Sequence, residues 1–335
     1  MKKIGLVVAA LCCASALAQN PSAVPARIVA SANAFLGTLD EGQKSKVLFA
    51  FDDAAQRVKW SNLPTTMVPR AGLKMGDLNA AQKKAAMALL AATLSKRGYE
   101  KTMAIVEGDE ALKASSGGRG GAMFGHDLFY ISILGKPSVK DPWMLQFGGH
   151  HLALNITMVG SEGILTPSLT AAQPAKYTVE GRTVRPLGAE NDKAFALINA
   201  LDEGQRKRAI LNYKVADLVL GPGHDGKTIQ PEGIKASALN PAQQAMLLDV
   251  VSEWAGIVNE QAADARMADI KSKIADTWFA WSGPTTNGMP AYYRIQGPTL
   301  VIEYAPQPLG GDPTMHIHTI YRDPTNDYGK KSAAR

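Results

Sequence analysis

The sequence predicts an α+β protein built as a tandem duplication, in which each half has helices followed by an antiparallel β-meander and the two meanders join in a central sheet. Three pairs of matching segments support this prediction. Leu-Asp-Glu-Gly-Gln begins at residues 39 and 201, and Leu-Asn-x-Ala-Gln begins at residues 78 and 239. An aromatic stretch that ends in a glycine close to a proline also occurs twice, with the glycine at residues 135 and 297. The offsets are 162, 161 and 162 residues, which indicates one repeated unit.

The repeated segments are expected to begin helices. Asp40 is a suitable N-cap, and Gln43, three residues later, completes a capping box. Asn79 and Asn240 are N-caps at matching places, and Pro241 follows at the first helical position, where proline is favoured. The predicted organisation is a signal peptide (1–18), a first α+β repeat (19–165), a connecting segment (166–190) and a second α+β repeat (191–335).

The N-terminal segment has the features of a secretory signal peptide. Lys2 and Lys3 precede the apolar run Ile4–Ala16, which is too short to span a bilayer, and Ala16-Leu17-Ala18 fits a cleavage site. A lipoprotein anchored at one of the signal's cysteines is the alternative. We expect an exported protein, periplasmic or secreted, with no integral membrane segment once the signal is removed.

The amino-acid composition excludes some kinds of site and of partner. Both cysteines lie inside the signal, so the mature protein has no thiol for a disulfide, a nucleophile or a metal ligand. Loss of the two signal lysines lowers the formal net charge from +6 to +4. This mild and evenly spread charge does not favour nucleic acid or a membrane surface as partner. The partner that we expect is a small-molecule or anionic substrate.

The candidate site starts from a strand near the C-terminus. Side chains alternate between the faces of a strand, so His316 and His318 point the same way. Glu303 lies in an apolar strand segment, where an unpaired carboxylate would be costly. Two imidazoles and a carboxylate on neighbouring strands are a common ligand set for zinc, copper or iron. The alternatives are an internal ion pair of Glu303 with Arg294 or Arg322, and two solvent-facing imidazoles.

Two further histidines, His150 and His151, follow a glycine pair in the first meander. In the predicted repeat, this pair matches His316 and His318, and Gln146 matches Glu303. We therefore expect both segments to converge on one metal ion at the junction of the halves. Successive residues of a regular strand face opposite sides, which would make one histidine a ligand and the other a packed neighbour. A bulge at the glycines would turn both inward, and both arrangements stay open.

Two residues are candidates for binding the substrate. Arg322 shares a strand face with His316 and His318, so it could hold a carboxylate or phosphate beside the metal. The alternative is that the Arg-Asp-Pro segment only opens a turn. His126 lies just before the first meander and is a candidate for an additional ligand or a proton shuttle.

The sequence contains no nucleophile elbow, phosphate-binding loop, dinucleotide fingerprint or His-Glu-x-x-His motif. This argues against the commonest hydrolases, nucleotide-binding proteins and zinc proteases. We predict an exported metal-binding protein that acts as a metal-dependent enzyme, hydrolytic or oxidative. Its cofactor is one transition-metal ion (zinc, copper, iron or nickel), since nitrogen and oxygen ligands fit all four. A periplasmic metal-binding or delivery protein without turnover and a metal-free module that binds a small anion are the alternatives.

Several segments in combination also resemble a known family. They are Leu-Asp-Glu-Gly-Gln, Gly-Gly-His150-His151-Leu-Ala-Leu-Asn, Tyr-Tyr-Arg-Ile-Gln-Gly-Pro with Ile-Glu303-Tyr, and His316-Ile-His318-Thr-Ile-Tyr-Arg-Asp-Pro. Together they resemble domain of unknown function 3500 over nearly the whole mature chain. The resemblance implies an exported protein without an established activity. No residue role follows from it, and the metal prediction depends on the residue chemistry alone.

Overall fold

The computed structural model of the protein describes residues 23–309 and 311–334. Within these ranges it has 11 α-helices and a large mixed sheet, which confirms the α+β class. The predicted signal peptide, residues 1–18, lies outside the described residues. Among the helices that the structure describes, none combines the length and the apolar character needed to cross a membrane.

Helices and strands follow in a similar order in the two parts of the chain. The helices are α1 Ala23–Gly37, α2 Glu41–Val47, α3 Ala54–Arg57, α4 Ala80–Thr93, α5 Lys96–Ser116, α6 Gly118–Gly121, α7 Gly188–Ala200, α8 Glu203–Ala209, α9 Pro241–Ala255, α10 Glu260–Ser272 and α11 Lys330–Ala333. The strands are β1 Leu48–Phe49, β2 Leu73–Lys74, β3 Tyr130–Leu134, β4 Trp143–Gly149, β5 Leu152–Val159, β6 Glu162–Ile164, β7 Ser168–Ala172, β8 Tyr177–Val179, β9 Arg182–Val184, β10 Ile234–Lys235, β11 Trp278–Ser282, β12 Tyr292–Gly297, β13 Leu300–Pro306 and β14 Ile317–Arg322.

The repeated polar segments are capping boxes. Asp40 and Asn79 cap α2 and α4, as the sequence predicts, and each box is completed by the glutamine three residues later. The amides of these glutamines, Gln43 and Gln82, bond each other across the two helix starts. The same arrangement recurs at the starts of α8 and α9, where the glutamines are Gln205 and Gln243 and the caps are Asp202 and Asn240.

The main sheet has 12 strands in the order β1-β3-β4-β5-β7-β14-β13-β12-β11-β10, with β2 beside β3 and β6 beside β5. β8 and β9 form a separate hairpin. The antiparallel pairing of β7 with β14 joins the strands that precede α7 to the strands that follow it. Thr170 and Thr319 face each other at this junction, with their hydroxyl oxygens 2.8 Å apart. The centre of the molecule is therefore one continuous sheet.

Helices pack against one face of the sheet, and loops pack against the other. On the helix side, the indole N–H of Trp254 in α9 donates to Thr319 of β14 at 2.9 Å. On the other side, Trp60 from the loop after α3 belongs to one buried cluster with Leu169, Ala171 and Ile320. Since alternate residues of β14 face opposite sides, His318 lies on the loop-covered face with Ile320.

The strand pairing corrects one of the three repeat matches. β3 pairs with the short strand β2, with Leu73 opposite Ile131, and β11 pairs with the short strand β10, with Ile234 opposite Phe279. β3 therefore corresponds to β11, whereas the match of glycines 135 and 297 equated β3 with β12. The strand neighbours therefore do not support that match, since apolar strands ending near a glycine recur along a meander.

The same pairing corrects the expected equivalence of Gln146 and Glu303. Gln146 lies on β4, which corresponds to β12, and it pairs with Asn155 of β5. Glu303 lies on β13, which matches β5 in strand position, and it stands opposite the backbone of Arg294 in the β12–β13 register. By strand position, Asn155 and not Gln146 matches Glu303.

The histidine pairs also do not occupy equivalent places. His150 and His151 form the turn between β4 and β5, whereas His318 lies in β14 and His316 directly precedes it. The counterpart of β14 in the first half is β7. This strand belongs to the segment 166–190, which was assigned as a connection and which also holds the β8–β9 hairpin. The domain boundaries at residues 165 and 190 stay predictions.

Candidate metal centre

The turn between β4 and β5 presents two adjacent histidines. Gly149 pairs with Leu152 in regular register, so His150 and His151 alone make the turn and no bulge precedes them. His151 has a φ of 60°, a left-handed conformation that is unusual for a residue with a side chain. Strained backbone of this kind is found preferentially at functional sites. The turn geometry therefore indicates that His151 is a candidate functional residue.

Strand β14 brings two further histidines to the same place. His318 lies opposite Ala171 of β7, whose N–H donates to the carbonyl oxygen of His151 at 2.8 Å. His151 and His318 thus flank Ala171 on neighbouring strands, and His316 lies on the same strand face as His318. Because the alanine side chain is small, the imidazoles have room to converge above it.

The three imidazoles meet through their Nε2 atoms. The Nε2 atom of His316 lies 3.1 Å from the Nε2 of His151 and 3.1 Å from the Nε2 of His318. All three residues are buried, and their ligand atoms lie within 4.8 Å of one another. Nitrogens bound tetrahedrally to one zinc ion at about 2.0–2.1 Å would be about 3.3 Å apart. Two of the three Nε2 separations are therefore close to those around a tetrahedral metal ion.

Hydrogen bonds fix the tautomers of two of these histidines. Nδ1 of His316 lies 2.8 Å from the carbonyl oxygen of Leu309, and Nδ1 of His318 lies 3.1 Å from Oδ1 of Asp217. These oxygens only accept hydrogen bonds, so both Nδ1 atoms carry the hydrogen. In the neutral ring Nε2 then carries the lone pair. Acceptors of this kind on the second ring nitrogen are the usual partners of metal-bound histidine.

Burial keeps two histidines of the cluster neutral. It lowers the pKa of His316 to about 4 and the pKa of His151 well below its ordinary value, and the neighbouring histidines add to the shift of His151. Burial alone would raise the pKa of Asp217, but its hydrogen bond with His318 and further donors hold this pKa below the usual range. At neutral pH Asp217 is therefore ionised, and His151 and His316 are uncharged.

His150 does not share the inward position of His151. Its Nδ1 lies 2.6 Å from Oδ1 of Asp109 in α5, and Oδ2 of the same carboxylate accepts the N–H of Gly125 at 2.7 Å. The rings of His150 and His151 stack, with centroids 3.7 Å apart. One histidine of the pair therefore belongs to the cluster and the other packs against it, and the two lie in a turn instead of the regular strand or the bulge that the sequence left open.

Two polar residues at the cluster were not foreseen from the sequence. Asp217 comes from the loop between α8 and β10, and Asn62 from the loop between α3 and β2. The carbonyl oxygen of Asn62 accepts the N–H of His151 at 3.3 Å, and its side-chain amide lies 3.4 Å from Nε2 of His318. Neither residue stands in a periodic pattern or motif, so no sequence signal distinguishes them from other loop residues.

Glu303 does not join the histidine cluster, contrary to the prediction. Its carboxylate accepts the N–H groups of Val219 and Leu220, both at 2.8 Å, and the hydroxyl of Tyr292 at 2.7 Å. The side chain is fully buried. These three donors satisfy the carboxylate where it is, so it fixes the loop that carries Asp217. The alternative ion pair is absent too, since Arg294 pairs with Glu232.

The two predicted substrate-binding residues are also engaged elsewhere. The buried guanidinium of Arg322 binds the carboxylates of Asp225 and Asp327 and donates to the carbonyl oxygens of Leu220 and Gly221. It therefore holds the loop-covered face together and has little capacity left for an anion. His126 has a half-exposed side chain that pairs with Glu110 at 2.8 Å, away from the cluster.

Asp217→Asn is expected to weaken metal binding by about 10–100-fold, because the residue orients His318 and makes its Nε2 a better donor. The change keeps the shape of the side chain and removes its charge. Metal affinity measured by competition with a chromophoric chelator checks the prediction. Asp276→Asn, at an exposed carboxylate that pairs with Lys235, is the control and should bind as the wild type does.

Comparison with known proteins gives a family and no activity. The model of the family described as "Protein of unknown function (DUF3500)" matches residues 22–330. No curated protein and no solved structure matches the chain. The histidine cluster is therefore the feature from which a function can be inferred.

Proposed function

Because the chain belongs to the DUF3500 family, which is described without an activity, we propose its function from the cluster itself. The protein is an exported metal-binding protein in which His151, His316 and His318 hold one transition-metal ion. Asp217 and the carbonyl group of Leu309 orient two of these ligands.

The observation that carries this proposal is the convergence of the Nε2 atoms of His316 and His318. Their Nδ1 atoms are held by the carbonyl oxygen of Leu309 and by Asp217, which directs the two Nε2 atoms towards each other at 3.1 Å. A cation bound to both nitrogens fits this arrangement. A proton on His316 in its place is disfavoured at neutral pH, because burial lowers the pKa of His316 to about 4. A metal ion satisfies these nitrogens and that of His151 together.

The same arrangement supports an enzyme. A metal with three protein ligands keeps a position for water or substrate, and it supplies a Lewis acid that activates this water. The side chain of Asn62 reaches the space beside Nε2 of His318, where it can orient a bound molecule. We therefore propose a metal-dependent enzyme for a small-molecule or anionic substrate. Its chemistry is hydrolytic or oxidative according to whether zinc, copper, iron or nickel is bound.

Asn62 also supports a second candidate, a protein that binds or delivers the metal without turnover. The oxygen and nitrogen of a side-chain amide exchange places by a simple flip, and the oxygen can bind a metal. With the amide oxygen towards the ion, Asn62 would be a fourth ligand and would close the site. The two candidates thus differ in whether the fourth position is open.

A cobalt(II) titration tests both points, because cobalt often substitutes for zinc and its visible absorption reports coordination. We expect one equivalent to bind the wild type with a spectrum typical of four-coordinate cobalt. For an open site, added azide should change this spectrum. A spectrum that azide leaves unchanged in the wild type but alters in Asn62→Ala would favour the closed site. If metal-stripped protein showed no ligand-field spectrum after cobalt(II) was added, this result would contradict the metal proposal.

The metal-free protein is expected to lose stability as the pH falls from about 6.5 to about 4. The pKa values of His151 and His316 are lower in the folded chain than the ordinary value of 6.5. Below pH 6.5 the unfolded chain therefore binds protons that the folded chain does not. Urea unfolding at several pH values measures the effect. A His151→Gln/His316→Gln variant should have a flatter pH profile, and equal slopes in both proteins would contradict the assignment.

The tandem duplication and the export remain part of this proposal. The four capping boxes, two in each half with paired glutamines, support a duplicated unit. The signal features of residues 1–18 support a periplasmic or secreted location. Cell fractionation and N-terminal sequencing of the mature protein test the export, with a new N-terminus expected at Gln19. An uncleaved chain in the cytoplasm would contradict it.

A further inference from the structure

The loop that carries Asp217 crosses the loop-covered face of the sheet beside the histidine cluster. Residues 210–233 join α8 to β10 and contain no helix or strand. This loop is longer than the roughly 12–15 residues above which loops without secondary structure are usually functional or disordered. Its first part, residues 212–221, forms a strap that passes from β11 towards β14. Asp217 lies in the middle of the strap and bonds Nδ1 of His318.

Side chains of the sheet hold the strap in place. At its beginning, the hydroxyl of Ser282 in β11 donates to the carbonyl oxygen of Tyr213 at 2.8 Å. At its end, Glu303 accepts N–H groups and Arg322 donates to carbonyl oxygens of residues 219–221. Among the described residues, no backbone-to-backbone hydrogen bond joins the strap to a strand. The strap can therefore lift while the strands stay paired.

The strap buries little of its own surface. Leu220 and Gly221 are its only buried residues, and all ten of its residues are described. Segments with few buried apolar contacts and exposed backbone open locally at low free energy. The side chain of Asp217 is 51% exposed, whereas that of His318 is 7% exposed. Asp217 thus lies between His318 and solvent, so the strap has to move before an ion can reach the histidines from this side.

The middle of the strap is attached to the sheet through Asp217. Its Oδ1 atom lies 3.1 Å from Nδ1 of His318 and accepts the side-chain amide of Gln307 at 2.8 Å. Because Nδ1 carries the hydrogen, one of these two attachments is donated by a proposed metal ligand. A metal ion at Nε2 makes the Nδ1–H group a stronger donor towards the charged acceptor. Metal binding and closure of the strap therefore favour each other.

We propose that the strap is a metal-dependent gate, which stays closed while an ion is bound and opens more readily without one. This inference rests on the proposed metal centre and concerns its regulation. Coupling between two equilibria is reciprocal, so an attachment that strengthens metal binding is strengthened by the metal to the same extent. The 10–100-fold effect typical of a residue behind a metal ligand therefore also sets the expected change in the opening of the strap.

Hydrogen exchange followed by mass spectrometry, with zinc as the metal, tests the gate. We expect zinc to slow exchange in the strap by about 10–100-fold relative to metal-stripped protein. The β8–β9 hairpin, which forms a separate sheet, is the internal control and should exchange equally in both states. In Asp217→Asn at saturating zinc, most of this protection should be lost, because a neutral amide replaces the charged acceptor.

The rate of zinc release to an excess of chelator is the second measurement. Glu303→Gln leaves the histidines intact and places an amide N–H group against the N–H groups of the strap. We expect release about tenfold faster, since a hydrogen bond to a charged group is lost. Gln307→Ala, which removes the second partner of Asp217, should act in the same direction. Asp276→Asn, at the exposed carboxylate, is the control, and a thermal melt verifies that each variant is folded.

Several results would overturn the gate. They are equal exchange of the strap with and without bound zinc, equal protection of the β8–β9 hairpin, and unchanged zinc release in both strap variants. Bound zinc without protection of the strap would overturn the gate alone and leave the metal centre in place. A protein that binds no zinc or other transition metal would overturn the gate together with the metal centre.

Discussion

His316→Ala is expected to weaken metal binding by more than about 100-fold. His316 is the central ligand, since its Nε2 lies 3.1 Å from the Nε2 atoms of both other histidines. Loss of a direct ligand should exceed the 10–100-fold effect that is typical for a residue behind the ligands. Competition with a chelator of known affinity measures the change in Kd.

The matched control is His126→Ala, which removes a half-exposed imidazole that is paired with Glu110 outside the cluster. It should bind metal as the wild type does. His150→Ala separates the adjacent pair, because His150 packs behind the cluster and should affect affinity less than His151→Ala does. If His316→Ala and His126→Ala bound metal equally well, the assignment of the ligands would be wrong.

Lys101→Met is expected to lower the free energy of unfolding by about 3–5 kcal/mol at neutral pH. Lys101 of α5 is buried and contacts the carboxylates of Glu190 in α7 and Glu253 in α9. Glu253 keeps Arg97 and Lys193 as partners, but Glu190 loses the cation that compensates its burial. Burial already raises the pKa of Glu190 even with the lysine present. Urea denaturation measures the loss.

A second substitution identifies the cause of this loss. Glu190→Gln removes the uncompensated charge, so the Lys101→Met/Glu190→Gln variant should recover at least half of the stability. Lowering the pH should also narrow the gap between Lys101→Met and the wild type, because Glu190 takes up a proton. Lys96→Met, with a side chain that is 88% exposed, is the control and should change stability by no more than about 0.5 kcal/mol. A loss below about 1 kcal/mol in Lys101→Met would contradict this account.

The local features of the fold could be derived from the sequence because they depend on short-range rules. The capping boxes at Asp40 and Asn79 require only two residues three positions apart. The common direction of His316 and His318 follows from the alternation of a strand. These features hold whatever the neighbouring strands are.

The composition of the cluster could not be derived in the same way. Whether His151 reaches His318 depends on β7 lying between them, and β7 belongs to a proline-containing segment without a clear strand pattern. Glu303 looked like a ligand because its carboxylate is buried, yet its partners are two backbone N–H groups from a distant loop. Asp217 comes from that same loop. Contacts that depend on strand order and on loop position produce no periodic pattern in a single sequence.

The most direct test of the central claim is elemental analysis of the mature protein, purified without a histidine tag from its own compartment. The structure predicts about one equivalent of a single transition metal in the wild type and none in a His151→Ala/His316→Ala/His318→Ala variant that remains folded. It also predicts that a metal-stripped wild type regains one equivalent on reconstitution. A wild type that contains no metal and takes up none would contradict the proposed centre.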